Sequence, residues 1–547
     1  MRGLIGGPRS RQTHTMRSTL KNKTYQDVRQ ALLARQEIAL LDVREEDPFA
    51  QEHPLFAANF PLSRLEAEAG WRIPRQDTAI VVYDDGEGLA EVAAHTLQGL
   101  GYTDVSLLDG GLAGWRAAGG ELFRDVNVPS KSFGELVEAQ RHTPSLSASE
   151  VLALIEQQAD VVVLDARRFD EYQTMSIPSG ISVPGAELVL RARALAPNPA
   201  TRIIVNCAGR TRSIIGTQSL INAGIPNPVS ALRNGTIGWK LAGQTLDHGA
   251  QRHFKDVTPE QQAESAAQAR AVADRAGVQR ASAAELLLFR AEAGRTTYFY
   301  DVRTPEEFKA AHLPGFRSSP GGQLVQETDV SAPVRGARIV LADTDGVRAN
   351  MSASWLAQMG WEVWVLDGLQ ATDFSASDAL PPTLAAAAGP VNEVLATALA
   401  IQLKSEPAGQ TVLLDLGTSA KYVQQHVPGS YWVLRSALAE ALQQLPAAKR
   451  YVLSCESGEL SRHAAADVVR LTGATVEVLH GGTQAWLVAG LPLEQGATHL
   501  ASERTDRYRR PYEGTDSPRE AMQGYLDWEF GLVDQLARDG THFFRVI

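Results

Sequence analysis

Short apolar runs without alternation recur along the chain, and each is followed by an amphipathic stretch. Ile80–Tyr83, Ile203–Asn206, Ile339–Leu341 and Tyr451–Ser454 have this form, as expected of central parallel strands covered on both faces. The stretches after them carry an apolar stripe: Leu89, Val92, Ala93, Leu97 and Leu100 in the first case, Met351, Trp355 and Met359 in the third. They predict helices that stop at Gly101, Gly224, Gly360 and Gly473. A second strand such as Val105–Leu108 or Val476–Leu479 follows each. Strand–helix–strand alternation predicts right-handed crossovers and a mainly parallel α/β sheet flanked by helices. Ser147-x-x-Glu150 and Ser282-x-x-Glu285 predict capped helix starts.

The pattern occurs four times, with a period of roughly 115–135 residues, about one small domain each. Each unit opens on a strand ending in Asp: Leu41-Asp42-Val43-Arg44, Leu164-Asp165-Ala166-Arg167, Tyr300-Asp301-Val302-Arg303 and Leu414-Asp415-Leu416-Gly417. A Pro-containing turn follows, seen in His312-Leu313-Pro314-Gly315 and His426-Val427-Pro428-Gly429. Units one, two and four close on a turn and a Trp, Leu108 to Trp115, Leu232 to Trp239 and Leu479 to Trp486, whereas the third breaks this at Leu366-Asp367-Gly368-Leu369. At the end of the central strand stand Asp84, Cys207, Asp343 and Cys455 in turn. The boundaries expected are a tail over 1–19, units over 20–125, 145–248, 277–378 and 390–495, a linking helix within 249–276, and a helical tail over 496–547. In that tail Ser517-Pro518-Arg519-Glu520 predicts a helix start, with a helix running to about Arg538. Its Tyr525, Trp528, Leu532 and Leu536 predict docking onto the body or onto a partner, self-association included.

Composition narrows the classes. The 547 residues hold 52 Lys plus Arg against 63 Asp plus Glu, a formal charge of −11, which argues against a nucleic-acid or anionic-membrane surface. No apolar run is long enough for a transmembrane helix. Two cysteines in separate units make no disulfide framework and point to a reducing, cytoplasmic setting. The basic first residues, among them Arg2, Arg9, Arg11 and Arg17, read as a disordered tail rather than a targeting segment. His312 and His426 stand singly, so no metal site is expected.

The loop Cys207-Ala208-Gly209-Arg210-Thr211-Arg212-Ser213 combines a thiol, two guanidiniums and a helix start. A free thiol titrates near ~8.5, and unpaired N–H groups and nearby arginines favour its anion. Arg210 and Arg212 suit an oxyanion ligand, Gly209 lets the loop tighten, and Thr211 and Ser213 can bond to backbone or substrate. The fourth loop, Cys455-Glu456-Ser457-Gly458-Glu459-Leu460-Ser461, keeps the thiol with Ser457, Gly458 and Ser461. Leu460 replaces the second arginine, and Glu456 and Glu459 add negative charge that raises a thiol pKa and repels an anionic donor. Arg462 is expected to compensate in part. Asp84 and Asp343 read as helix N-caps.

The strand-end Asp-Val-Arg, the Pro-Gly turn, the Cys loop ending in Arg-Ser and the Gly-Gly-x-x-x-Trp closure resemble the rhodanese family, over most of the chain. An Asp-bearing unit followed by a Cys-bearing one resembles the two-domain thiosulfate sulfurtransferases, here as that pair duplicated. The resemblance implies a cysteine that takes sulfane sulfur from thiosulfate or a donor such as 3-mercaptopyruvate and passes it, as a persulfide, to cyanide or a thiol. It implies no metal or organic cofactor. On this reading Cys207 and Cys455 are the catalytic positions, with Cys207 the principal one. Two other readings are a rhodanese-fold scaffold without turnover and a Cys-dependent phosphatase or arsenate reductase. Family phosphatases have five residues between Cys and Arg, whereas four separate Cys207 from Arg212 and six separate Cys455 from Arg462.

Overall fold

The computed structural model describes residues 20–377, 390–407, 409–514 and 516–547; the expected tail over 1–19 lies outside them. Four sheets are present, one per unit. In the second, the strands run in the order Ser145–Leu146, Val229–Leu232, Arg202–Asn206, Val161–Asp165, Ile181–Ser182, all parallel. The third and fourth repeat that order. The apolar runs are the sheet centres: Ile203, Ile204 and Val205 are fully buried, as strands covered by helices on both faces must be.

Register places the chemistry. The Asp-ending strand lies beside the central strand, with Asp165 opposite Asn206 and Asp415 opposite Ser454. The next residue, Cys207 or Cys455, therefore emerges at the carboxyl edge of the sheet beside that aspartate, where open α/β sheets form their crevices. Helices Thr211–Asn222 and Glu459–Thr472 leave from the same edge.

Three of the aspartates are locked by the arginine two residues on. Arg44 reaches Asp42 at 2.6 Å, Arg167 reaches Asp165 at 2.7 Å and Arg303 reaches Asp301 at 2.6 Å, all buried. Each guanidinium also donates to a carbonyl eight residues further on: Glu52, Met175 and Ala311. The clamp thus fastens the strand end to the helix after it. The closing tryptophans are core residues whose indoles bond the carbonyls of Glu121, Thr245 and Pro492. Ser147 and Ser282 form the expected capping boxes.

Contacts between units cut across the duplicated order. Strand Val334–Arg335 of the third unit pairs antiparallel with Ile38–Asp42 of the first, completing that unit's sheet. Gly185 of the second unit meets Gly322 of the third, and Arg348 of the third donates to Glu187 of the second at 2.8 Å. The fourth unit sits on the first through Arg435–Glu66 and Ser436–Glu45. Two helices join the units: Val128–Arg141, between the first and second, and Pro259–Ala276, between the second and third.

The C-terminal tail differs from its sequence reading. It forms two helices, Arg519–Phe530 and Leu532–Asp539, broken at Gly531. Ser517 is not the cap: its hydroxyl turns back to the Glu513 carbonyl, and Pro518 stands at the helix start without a capping side chain. The last residues thread between units, with the Arg545 amide bonded to Gln358 and Phe544 packed on Phe56 and Phe133.

Candidate active site

Cys207 sits between the strand Arg202–Asn206 and the helix Thr211–Asn222. The closing turn of the unit holds it from behind. Thr236 N–H donates to the Cys207 carbonyl at 2.9 Å, and a Cβ on Gly235 (φ +55°) would lie 2.3 Å from that oxygen. Gly482 stands the same way to Cys455, at 2.1 Å. Such an approach is open to glycine alone, so the turn signature of these units is a support for the cysteine. In the sequence the closure shows only as a turn before a Trp, because the contact is made to a strand end earlier in the chain.

Around Cys207 the predicted residues separate into two groups. The Sγ lies 3.4 Å from Ser213 Oγ, which itself donates to the Arg210 carbonyl at 2.8 Å. Arg212 holds Glu171 in a two-pronged fork, 2.8 Å on each arm, and the pair keeps Glu171 ionised, its pKa down to about 2. Arg210 points elsewhere. Its guanidinium is buried against Glu135 at 2.7 and 2.8 Å, bonds Glu138, and stacks on the Phe530 ring at 4.3 Å. Its charge is therefore answered by the helix Val128–Arg141, and it ties the loop to that helix. Thr211 is buried with its hydroxyl unpartnered.

A cavity of about 400 Å³ opens beside Arg212, bordered by Arg167, Glu171, Arg507, Arg510 and Tyr512. Asp170, Glu327 and Glu513 line it too, with Arg507 and Arg510 paired to Glu513, and the fork to Glu171 leaves Arg212 with N–H donors to spare for an anion.

The C-terminal tail, expected to dock onto the body or a partner, docks over the thiol. Cys207 is 2% exposed, not the open thiolate that loop composition suggests. A Cβ on Gly209 would lie 3.1 Å from the Tyr525 ring and 3.4 Å from Glu529. Met522, Tyr525 and Leu526 pack with Ala208, Ile237 and Tyr512. Beneath them the Lys131 ammonium, paired with Asp125 at 2.6 Å, is ringed by Tyr512, Tyr525 and Trp528. Burial pushes the Cys207 thiol pKa up; Arg212 and Ser213 pull it down, and Glu529 adds to the rise. Glu529 is itself fully buried. Desolvation and the charge of Glu135 push its pKa up to about 8, against the Tyr525 hydroxyl that bonds it at 2.8 Å. It is thus protonated at neutral pH, and its push on the Cys207 thiol acts only once it ionises.

The fourth site has the same frame and other contents. Cys455 Sγ accepts the Gly458 N–H at 3.1 Å. Ser461 is buried with its hydroxyl unpartnered, and Ser457 caps the Glu459 amide at 3.4 Å. Arg462 turns away to Glu393 instead of compensating at the thiol, and Glu456 pairs with Lys421 at 3.5 Å. Asp415 has Gly417 where the others have arginine, and burial without that partner lifts its pKa to about 6. In the Asp-bearing units, Asp84 takes the amides of Gly86 and Ala90, and Asp343 those of Gly346 and Ala349, the cap role expected. Among the described residues no three His, Cys, Asp or Glu side chains are grouped to hold a metal, and no helix is long and apolar enough to cross a membrane.

The sequence matches the Rhodanese-like domain family four times, over residues 24–118, 147–242, 282–368 and 399–489. This chain belongs to the rhodanese-like family. Among its rhodanese relatives, a crystal structure of thiosulfate sulfurtransferase from Pseudomonas aeruginosa superposes with a TM-score of 0.94 at 66% identity, covering 96% of this chain and 100% of that one. Thiosulfate sulfurtransferase from Azotobacter vinelandii is 27% identical over 205 residues, 34% of this chain and 74% of that protein.

Proposed function

We infer that this chain is a thiosulfate sulfurtransferase and that Cys207 carries the sulfur. The observation behind the assignment to Cys207 is its place at a sheet edge within the field of Arg212, which borders a cavity lined by arginines and acids. Kinship with the Pseudomonas aeruginosa enzyme supports the activity.

In the proposed reaction thiosulfate enters the cavity with its oxyanion end toward Arg212. The Cys207 sulfur, its proton released to solvent, attacks the outer sulfur. The S–S bond of the donor breaks, its electron pair leaves with sulfite, and a Cys207 persulfide remains. A thiolate or cyanide then attacks the outer persulfide sulfur, giving an acceptor persulfide or thiocyanate and returning the Cys207 thiolate. No cofactor is required, since electrons move only between sulfurs and the acceptor. Arg212 and the loop amides offset the charge on sulfur; Arg210, Gly209, Thr211 and Ser213 shape the loop. Tyr525 and Glu529 must shift from Gly209 for the acceptor to reach the sulfur. Cys455, without a fork, is a secondary site, suited to another donor or to sulfur received from elsewhere. The free state of both thiols accords with a reducing compartment, the cytoplasm.

Mass spectrometry after thiosulfate exposure tests this. The intact chain and Cys455→Ser are expected to gain one sulfur on Cys207, and Cys207→Ser to lose most turnover. A persulfide confined to Cys455, or full turnover in Cys207→Ser, would overturn the assignment. Parallel initial-rate lines with varied donor and acceptor are expected of a double displacement, and the same assay with 3-mercaptopyruvate ranks the donors.

A further inference from the structure

A second arginine-lined cavity, which shares no lining residue with either cysteine loop, lies where the first unit, the third unit and the C-terminal strap meet. Its volume is about 260 Å³, and Arg35, Phe56, Arg295, Arg335, Glu362 and Phe543 are among the residues around it. The backbone builds it. The antiparallel pair of Val334–Arg335 with Ile38 and Ala39 brings Arg335 against the turn at Arg35. Gly336 (φ +83°) makes the approach possible: a Cβ there would lie 2.7 Å from the Gln36 carbonyl and 2.9 Å from that of Arg35.

Of the three guanidiniums lining this cavity, Arg295 is paired with acids, and Arg35 and Arg335 are unanswered. Arg335 lies over the Phe56 ring at 4.1 Å and the Trp361 ring at 4.4 Å, and Arg35 over Phe543 at 4.0 Å. Among the described residues neither forms a salt bridge or a side-chain hydrogen bond. The acids nearby are committed: Glu362 to Arg295 at 2.5 Å and to Arg338 at 2.8 Å, and Glu37 to Arg295 at 3.0 Å. Desolvation and the charge of Arg35 push the Arg335 pKa down to about 9. A guanidinium does not give up its proton in a protein, so the strain stays as uncompensated positive charge. Stacking holds the ring faces and leaves the N–H edges for an in-plane partner, the geometry in which arginine takes an oxyanion.

We propose that this cavity, between Arg35 and Arg335, is a binding site for a small divalent oxyanion. The ligand chemistry is a tetrahedral sulfur or phosphorus oxyanion, free or as the head of a small organic molecule. The site is separate from the Cys207 loop and does not depend on which cysteine turns over.

Calorimetric titration of the full-length chain with sodium sulfate, sodium phosphate and glycerol phosphate, at ionic strength matched with chloride, tests it. One binding site is expected in the intact chain that weakens about tenfold or more in both Arg35→Gln and Arg335→Gln, as loss of a charged hydrogen bond implies. That same site must persist in Cys207→Ser and Arg212→Leu, which separates it from the donor cavity. Tighter binding of glycerol phosphate than of the inorganic ions assigns the organic source, and the reverse the free ion. Arg35 is exposed, so Arg35→Gln keeps the test open if Arg335→Gln disturbs the aromatic stack. Binding of all three anions unchanged in Arg35→Gln, or absent from the intact chain, overturns the proposal.

Discussion

The second and fourth units bring a cysteine to the same strand end, behind the same glycine-supported turn, yet surround it with different charges. Beside Cys207 stand Arg212 and the Asp165–Arg167 clamp. Beside Cys455 the fork position is Leu460 and the clamp position is Gly417, so Asp415 is buried with an amide and a distant hydroxyl for partners. The backbone that presents a nucleophile is thus separable from the side chains that tune it. The third unit makes the converse point. Arg348 occupies the fork position and holds Glu307, but Glu187 and Asp345 also grip it, and the residue presented at the strand end is an aspartate. The fork has become an interface brace.

Three measurements press on this contrast. The largest effect is expected from the clamps. Asp165→Asn leaves Arg167 buried without its counter-charge and should cost about 3–5 kcal/mol, whereas Asp415→Asn removes a strained carboxylate and should cost under about 1 kcal/mol at pH 7. Denaturant melts of the two variants decide; equal losses would mean that the clamp does not distinguish the units. Next comes the fork. Arg212→Leu should slow sulfite release from thiosulfate by about 10–100-fold, the worth of a charged hydrogen bond of about 1.5–3 kcal/mol. Leu460→Arg should raise thiosulfate reactivity at Cys455, and if it does not, loop charge is not what separates the sites.

The smallest effect concerns the cover over Cys207. Glu529 holds its proton up to about pH 8 in the folded chain, against about 4.5 when unfolded. Between those values the folded form binds the extra proton, so docking of the tail is strongest at the acid end of the window. It weakens as pH rises through 8, by about 2 kcal/mol from pH 6 to 8. Hydrogen exchange in Arg519–Phe530, corrected for the intrinsic pH dependence, should show that loss of protection in the wild type and not in Glu529→Gln. Parallel profiles would remove Glu529 from the account.

How far the sequence could be read followed the range of the interactions. The repeat, the sheet class and the cysteine at the strand end rest on local signals: unbroken apolar runs, turn glycines and Asp-x-Arg triplets. Those signals do not say what meets the loop from a distance. Arg210 resembles a substrate ligand in isolation, but Glu135 and Glu138, some seventy residues earlier in the chain, claim it from a helix that lay in the gap between two expected units. The burial of Cys207 is hidden from its loop for the same reason, because Tyr525 and Glu529, which cover Gly209, come from the far end of the chain. Ser517 failed as a cap because Glu513 competes for its hydroxyl.

The borrowed strand at Val334–Arg335 carries a consequence for how the molecule can be cut or evolved. A fragment ending near the middle of the chain would keep two complete sets of repeat signatures and still expose the edge of its first sheet, a template for pairing with stray chains. Each half is thus a tenant of the other's architecture. Shuffling these modules one at a time would first have to sever or replace that seam.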